Sequence, residues 1–166
     1  MDRTNHYELA FEAFLRSRQT AYVAVDEARR TLIADRSVKS LDFIVTSKQG
    51  LTWLVDVKGR HFPSGLGRQY WKNWSTRDDL LSLAQWERLF GEQFRGLFVF
   101  AYEVCGTRSP LEAEALFSFR DKSYGFLAIR LEQYACFART ISPRWDTVAV
   151  SARRFRELAE PFESLL

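Results

Sequence analysis

Two neighbouring apolar segments of the chain each contain one aspartate, and these two residues are the first candidates for chemistry. Asp42 precedes the run Phe-Ile-Val, and Asp56 lies between two valines. A carboxylate in a buried strand is costly unless it pairs or binds a cation. Side chains two residues apart on a strand share a face, so Asp56 and Lys58 project together, about 7 Å apart at their bases. If the two segments pair as a hairpin, Asp42 reaches the same place.

The N-terminal segment can add a third carboxylate. Its apolar residues recur at helical spacing, and Glu8 and Glu12 lie one turn apart among them. One of the two can face the sheet, and we favour Glu8. The alternative is a solvated helix face for both glutamates. For Asp42 and Asp56 the alternative is a structural role, in which Lys58, Lys39 or backbone donors satisfy the two carboxylates.

Carboxylates beside one lysine suit a hard divalent cation such as Mg²⁺ or Mn²⁺. Mg²⁺ prefers oxygen ligands and takes one or two protein carboxylates, which leaves positions for a substrate phosphate. A bound metal acidifies water and neutralises charge on a phosphoryl oxygen, and a nearby lysine stabilises the same charge. The pattern therefore predicts metal-dependent phosphodiester hydrolysis, with Asp42, Asp56 and Glu8 as metal ligands and Lys58 as the stabilising charge.

Positive charge is concentrated directly after this lysine. The chain has 24 basic and 21 acidic residues, a net charge of +3, and residues 57–77 contain five of the basic residues and no acidic one. Basic groups contact phosphates and aromatic faces stack on unpaired bases, so this segment is a candidate nucleic-acid platform. Besides Lys58, its candidate contacts are Arg60, His61, Arg68, Tyr70, Trp71, Lys72, Trp74 and Arg77. The alternatives are a lid of Trp71 and Trp74 on the core, and a loop position without chemistry for His61.

Composition limits the remaining possibilities. A chain of 166 residues, 46% of them apolar, folds as one domain without disulfides or a structural metal. Cys105 and Cys136 form no CxxC pair, which favours a cytoplasmic setting, and both lie in apolar strings typical of core thiols. His6 and His61 are far apart in the sequence, and no four-ligand zinc set is apparent from it. No apolar run is long enough to cross a membrane, and the N-terminus has no signal-peptide pattern.

The elements that must position these residues follow from apolar periodicity and turn signals. The patterns predict an α/β fold with a mixed central sheet flanked by helices. Residues 26–39 are compatible with a hairpin or a short helix, and residues 59–75 with an irregular loop. Predicted helices are 5–18, 76–90, 132–138 and a last one at 153–165, interrupted by Pro161; predicted strands are 21–25, 41–46, 51–58, 96–105, 115–119, 124–131 and 147–151.

With its second motif Asp56-Val-Lys58 and its first motif Ser40-Leu-Asp42, the sequence resembles the PD-(D/E)xK nuclease superfamily, which includes restriction endonucleases and archaeal Holliday junction resolvases. Glu8 matches the helix glutamate of the resolvase branch. The resemblance implies an αβββαβ core at about residues 5–105 and a polar residue facing the site at Gln85. The β-rich extension at 106–166, predicted from the strand patterns, has no counterpart in the resemblance. The sequence departs from the pattern at Leu41, where the superfamily has proline, and at Asp56, where glutamate is commoner.

The segment His6-Tyr-Glu-Leu-Ala-Phe-Glu12 resembles the signature of the bacterial HYExAFE family, which implies the same fold without a substrate. The principal hypothesis is a Mg²⁺- or Mn²⁺-dependent nuclease acting on DNA. A second is a catalytically inactive module that binds nucleic acid or a protein partner through the basic aromatic loop. A third is an interaction protein that forms a homodimer through the phenylalanine-rich segment after Gly91.

Overall fold

The computed structural model describes residues 5–26, 30–33 and 36–166. The first part of the chain forms α1 (His6–Ser17), β1 (Tyr22–Ala24), β2 (Arg30–Ile33), β3 (Arg36–Lys39), β4 (Phe43–Thr46), β5 (Thr52–Phe62), β6 (Ser75–Thr76), α2 (Arg77–Phe90) and β7 (Phe94–Val104). The remainder forms β8 (Phe117–Phe119), β9 (Lys122–Arg130), α3 (Leu131–Phe137), β10 (Arg139–Ser142), β11 (Thr147–Ala149), α4 (Ala152–Leu158) and β12 (Glu160–Pro161), with 3₁₀ turns at Ala113–Ala115 and Phe162–Leu165.

A mixed sheet runs through the centre of the molecule in the order β1-β4-β5-β7-β9-β12, and β8 pairs with β9. Strands β4 and β5 are antiparallel, whereas β5 and β7 are parallel over eleven register pairs, from Thr52↔Phe94 to Phe62↔Val104. The strands β10, β11 and β6 form a second sheet, and β2 pairs with β3 in a separate hairpin. The α/β architecture predicted from the sequence is confirmed.

The two long helices begin at side-chain caps and cover opposite faces of the sheet. Asn5 caps α1 by accepting a hydrogen bond from the backbone N–H of Tyr7. Thr76 and Asp79 form a reciprocal capping box at the start of α2. Helix α2 ends at Gly91, whose φ of +94° suits glycine because it has no Cβ.

Alternation along β5 separates the two cores. Trp53, Val55 and Val57 face the core that α1 covers, and Leu54 faces the other. Asp56 and Lys58 share the face of Leu54, on which α2 lies. The phenylalanines that follow Gly91 are divided between these cores: Phe98, Phe100, Phe126, Phe155 and Phe162 are all buried. Much of the aromatic content is thus used within one chain, and the homodimer stays a prediction.

The structure differs from the sequence-based expectations at several elements. Strand β5 continues to Phe62, beyond the predicted end at Lys58, because β7 pairs with it over its full length. The described parts of residues 26–39 form the β2–β3 hairpin, and β10 was not predicted. The predicted last helix is interrupted as expected: it ends at Leu158, and Phe162–Leu165 form a 3₁₀ turn. Between them Pro161 pairs with β9 at the edge of the sheet, where its missing N–H is tolerated.

The prediction that both cysteines are core thiols is also wrong. Cys105 and Cys136 are both free and exposed. Cys105 lies one residue beyond the end of β7, where the burial of that strand ceases, and Cys136 lies on the exposed side of α3. Across the described ranges, no helix combines the length and apolar character required for a membrane span.

Candidate active site

Lys58 lies between two buried carboxylates on the α2 side of the sheet. Its Nζ is 2.7 Å from Oδ1 of Asp56 and 2.9 Å from Oδ2 of Asp79. Asp56 comes from the same face of β5, as the strand alternation predicts, and Asp79 comes from the first turn of α2. The structure therefore places Asp56 and Lys58 together. It adds a second aspartate, Asp79, which is not among the site residues predicted from the sequence.

Asp79 has several roles at once. Its Oδ2 accepts hydrogen bonds from the backbone N–H of Thr76 and from Ser75 Oγ, each at 3.2 Å, and its Oδ1 lies 2.5 Å from Nζ of Lys39. The sequence signal for Asp79 was the Thr-x-x-Asp pattern of a helix start. That pattern predicts a helix cap. No residue near Asp79 in the sequence indicates that its carboxylate contacts Lys58.

The charges of this cluster are set by burial and by mutual contact. Burial disfavours the charged form of Lys58, but the adjacent carboxylates of Asp56 and Asp79 outweigh burial and raise its pKa. Burial raises the pKa of Asp56, and Asp79 adds to this effect, although Lys58 opposes it. For Asp79 the contacts with Lys58 and Lys39 outweigh burial and lower the pKa. Lys58 is therefore a protonated cation at neutral pH.

Asp42 directly precedes β4, at one end of the stretch over which β4 pairs with β5. Its backbone N–H donates to the carbonyl of Val55 at 2.9 Å, and its Oδ2 accepts from the backbone N–H of Val57 at 2.6 Å. The carboxylate of Asp42 is therefore fixed on the edge of β5, beside the peptide that joins Asp56 to Val57. Asp42 is 7% exposed and Asp56 is 8% exposed. A role for these two carboxylates as ligands of a hard cation stays a prediction.

Glu8 lies on the buried side of α1 and is 2% exposed. Its Oε1 accepts a hydrogen bond from Asn5, the residue that caps the helix. Glu12, by contrast, bonds to Arg16 and to the hydroxyl of Tyr22 near the surface. Of the two glutamates, Glu8 is the one directed into the protein, as the sequence analysis favoured. Helix α1 covers the opposite face of the sheet from Lys58, and a role for Glu8 at the site stays a prediction.

Gln85 is half-buried on α2, two turns after Asp79. The side chains that α2 buries are those of Asp79, Ser82 and Leu83. The polar residue that this helix places against Lys58 is Asp79. A role for Gln85 at the site stays a prediction.

Lys39, at the end of the β2–β3 hairpin, lies on α2 and lines the same cleft as Asp56. Ser82 Oγ accepts a hydrogen bond from the backbone N–H of Lys39 at 3.0 Å, and Trp86 Nε1 donates to the Lys39 carbonyl at 2.8 Å. Together with the Lys39–Asp79 ion pair, these contacts hold β3 on α2. The cleft between them is narrow and is lined by Asp56, Asp79 and Ser82, among others.

The basic aromatic loop is more strongly packed than its composition suggested. The Arg60 guanidinium stacks on Trp74, 3.9 Å from the ring centroid, and donates to the carbonyls of Gly59 and Trp74. Trp71 packs edge-on against Phe62, with ring centroids 4.9 Å apart. Trp71 thus packs on the core, and its role in binding nucleic acid stays a prediction.

The loop has an exposed aromatic edge beside the β10–β11 turn. Trp74 is 37% exposed and Trp145 is 69% exposed, and both line a shallow depression with Lys72 and Ile141. Strand β6 pairs with β11, which places this depression next to the start of α2 and therefore beside Asp79. Trp145 was not among the residues selected from the sequence, because it lies about 70 positions beyond Trp74.

The other candidate contacts of the loop are separated in space. Arg68 is exposed, and Tyr70 packs against Phe62 with Arg108 over its ring. Arg77 forms an ion pair with Asp146 at 3.1 Å. His61 faces away from Lys58, on the α1 side of β5, where its Nε2 lies 3.7 Å from Glu103.

No protein-family model matches the chain, and no curated protein matches it either. The similarity of residues 6–12 to the HYExAFE signature therefore stays a prediction. Among solved structures, the chain is similar to a Holliday junction resolvase from the archaeal hyperthermophile Archaeoglobus fulgidus, with a TM-score of 0.55 at 12% sequence identity. The alignment covers 96% of each chain. The protein thus has a resolvase-like mixed α/β fold over nearly its whole length.

Proposed function

We propose that the protein is a metal-dependent nuclease that acts on DNA, with its active site at Asp42, Asp56 and Lys58. The observation that carries the proposal is the position of Lys58 beside Asp56 on β5, with the Asp42 carboxylate fixed on the same strand. The similarity in fold to a Holliday junction resolvase supports it.

The donor atoms suit Mg²⁺ or Mn²⁺. Asp42 and Asp56 supply hard carboxylate oxygens from adjacent strands, and Glu8 is a further ligand or base that approaches from α1. A divalent cation at this place would acidify a water molecule and neutralise charge on the scissile phosphate. Asp56 is buried and has a raised pKa, so a cation would relieve the cost of its negative charge.

Lys58 acts as a stabilising charge in this proposal. Its pKa is raised by the carboxylates of Asp56 and Asp79, so it holds its proton at neutral pH and cannot serve as a general base. A protonated amine near the phosphate stabilises the negative charge that develops on the phosphoryl oxygens. Asp79 positions this amine from α2, through its contact of 2.9 Å.

DNA would approach along the exposed aromatic edge. Trp74 and Trp145 offer faces for unpaired bases, and Lys72 offers a charge for the phosphates. This edge adjoins the first turn of α2, so bound DNA lies near the Lys58 cluster.

The test is incubation with single-stranded, duplex and branched DNA in Mg²⁺ or Mn²⁺. We expect cleavage by the wild-type protein and a loss of at least about 100-fold in Asp56→Asn and Lys58→Ala, in line with the removal of one transition-state contact. Asp121→Asn and Lys48→Ala change exposed residues in turns and serve as matched controls. Equal cleavage by Asp56→Asn and the wild type would contradict the proposal.

A second candidate is a nuclease-fold module that binds nucleic acid without cleaving it. It is favoured by the burial of Asp56 and by the hydrogen bonds that hold Lys39 on α2 beside it. Titration calorimetry with Mn²⁺ separates the two. Binding of Mn²⁺ that Asp42→Ala abolishes supports the nuclease, whereas salt-sensitive DNA binding that needs no metal supports the module.

A further inference from the structure

A second cluster of reactive side chains lies on the other face of β5, at the C-terminal end of the parallel pair β5–β7. His61 and Glu103 are register partners on these strands, and Cys105 follows β7 directly. His61 shares the face of Val57, because side chains alternate along a strand. His6, the first residue of α1, reaches the same point from above the sheet.

Glu103 is the centre of this cluster. It is 8% exposed, and its Oε1 is 2.8 Å from Nζ of Lys122. Within the described part of the chain, its buried Oε2 has no hydrogen-bond partner. Two imidazole nitrogens instead face this oxygen from outside hydrogen-bond range: Nε2 of His61 at 3.7 Å and Nε2 of His6 at 3.9 Å.

These separations leave room for an ion. Two ligands of a tetrahedral Zn²⁺, each bonded at about 2.0–2.1 Å, lie about 3.4 Å apart. The observed distances exceed this value by a few tenths of an ångström, which a small side-chain rotation closes. The chain has two histidines, far apart in sequence, and both converge on one carboxylate oxygen.

His6 is oriented as a metal-ligating histidine usually is. Its Nδ1 lies 2.9 Å from the hydroxyl of Tyr124, and its ring packs on Tyr7 with centroids 3.9 Å apart. When Nδ1 carries the proton and donates it to Tyr124, Nε2 presents its lone pair toward Glu103. A hydrogen bond from the other ring nitrogen is the support that fixes tautomer and orientation in metal sites.

Cys105 supplies a fourth donor. Its Sγ and the ligand atoms of His61 and Glu103 all lie within 4.8 Å of one another. The thiol is exposed, so an ion can reach it from solvent. Binding would release the thiol proton to solvent and leave a thiolate on the metal, because the thiolate is the form that ligates.

We propose that His6, His61, Glu103 and Cys105 form a Zn²⁺ site, separate from the carboxylates of the candidate active site. Two imidazoles, one carboxylate and one thiolate are a borderline-soft donor set, which favours Zn²⁺ over Mg²⁺ or Ca²⁺. The two negative ligands balance the charge of the ion, and Lys122 holds Oε1 so that Oε2 faces the histidines. The metal would join the start of α1 to the ends of β5 and β7.

Cobalt substitution tests the site without reference to DNA cleavage. We expect one thiolate-ligated Co²⁺ per chain, besides any Co²⁺ held by Asp42 and Asp56. It should show the thiolate-to-cobalt charge-transfer band and the strong visible bands of a tetrahedral ion, and Zn²⁺ should displace these bands. Cys105→Ser should abolish the charge-transfer band, and Cys136→Ser should retain it, because both cysteines are exposed and only Cys105 lies in the cluster.

Two further variants assign the ligands and separate this site from the active site. Glu103→Gln should weaken Zn²⁺ binding at least tenfold, and Tyr124→Phe roughly 10–100-fold through loss of the support to His6. Asp56→Asn should leave the cobalt spectrum unchanged. A wild-type protein without a thiolate–cobalt band, or a band that survives Cys105→Ser, would overturn the proposal, whatever the outcome of the nuclease assay.

Discussion

Nζ of Lys58 lies 2.9 Å from Oδ2 of Asp79, so the strand lysine is shared between Asp56 of its own strand and the capping aspartate of α2. One side chain thereby joins the central sheet to the first turn of a helix. The position of the lysine depends on the packing of α2 as much as on the strand that carries it. If the proposed function holds, Asp79 therefore affects both stability and activity.

Replacement of Asp79 by asparagine should destabilise the protein. The change removes the partner of two lysines and weakens the capping box, and breaking a buried ion pair on one side costs about 3–5 kcal/mol. Unfolding in urea measures the loss. Asp78→Asn, an exposed neighbour in the same helical turn, is the control and should cost less than about 1 kcal/mol. Equal losses in the two variants would contradict the role given to Asp79.

The pH dependence of stability should carry the signature of the same residue. The pKa of Asp79 is lowered in the folded protein, because Lys58 and Lys39 outweigh its burial. An aspartate with a lowered pKa stabilises the folded state at pH values above the ordinary aspartate pKa. This contribution is lost as the pH falls through the pKa of the folded protein. The stability difference between wild type and Asp79→Asn should therefore shrink below about pH 4. A difference that stays constant down to acid unfolding would count against this assignment.

The attachment of the β2–β3 hairpin to α2, beside Asp56, should loosen when Trp86 is replaced by phenylalanine. The change deletes the indole N–H that donates to the Lys39 carbonyl at 2.8 Å and retains most of the ring. We expect faster tryptic cleavage after Arg36 or Lys39, and faster DNA cleavage if the proposed function holds. Trp145→Phe, an exposed tryptophan away from the hairpin, should leave tryptic cleavage unchanged.

The exposed aromatic edge should contribute to binding of single-stranded DNA. Trp145→Ala removes one stacking surface, which is worth about 1–3 kcal/mol per base, so affinity should fall about tenfold or more. Fluorescence anisotropy with a labelled oligonucleotide measures this. Leu89→Ala changes an exposed apolar residue on α2 and should have no effect. Trp71→Ala should instead lower stability by about 3 kcal/mol, since its ring packs on Phe62.

The close approach of α1 to β5 depends on Gly59. A Cβ at this position would lie 2.0 Å from Cδ2 of Tyr7, so Gly59→Ala should destabilise the protein by about 1–3 kcal/mol. Combining it with Tyr7→Ala should recover part of that loss, because the clash is removed. Gly106→Ala, whose Cβ would be 3.1 Å from Pro63, is the milder control. Thermal unfolding of the wild type, Gly59→Ala, the double variant and Gly106→Ala measures these differences. If the double variant shows no recovery, the added Cβ clashes with a partner other than Tyr7.

Local patterns predicted the parts of the fold and site that depend on neighbouring residues. The pairing of Asp56 with Lys58 follows from strand alternation, and α2 follows from its capping pattern and apolar spacing. The end of β5 and the edge strand at Pro161 were missed, because pairing with β7 and β9 decides them. The exposure of Cys105 was missed for a related reason: an apolar sequence does not show where a strand leaves the core.

The sequence by itself determined that Asp42, Asp56 and Lys58 lie on or directly beside adjacent strands, and that positive charge and aromatic rings follow them. Only the tertiary structure decided that Asp79 binds Lys58, and that His6 and His61 meet at Glu103. The physical reason is the distance along the chain over which sequence patterns carry information. Periodicity fixes which face a side chain occupies within one element, whereas the packing of helices on the sheet and the register of β5 on β7 fix which elements meet.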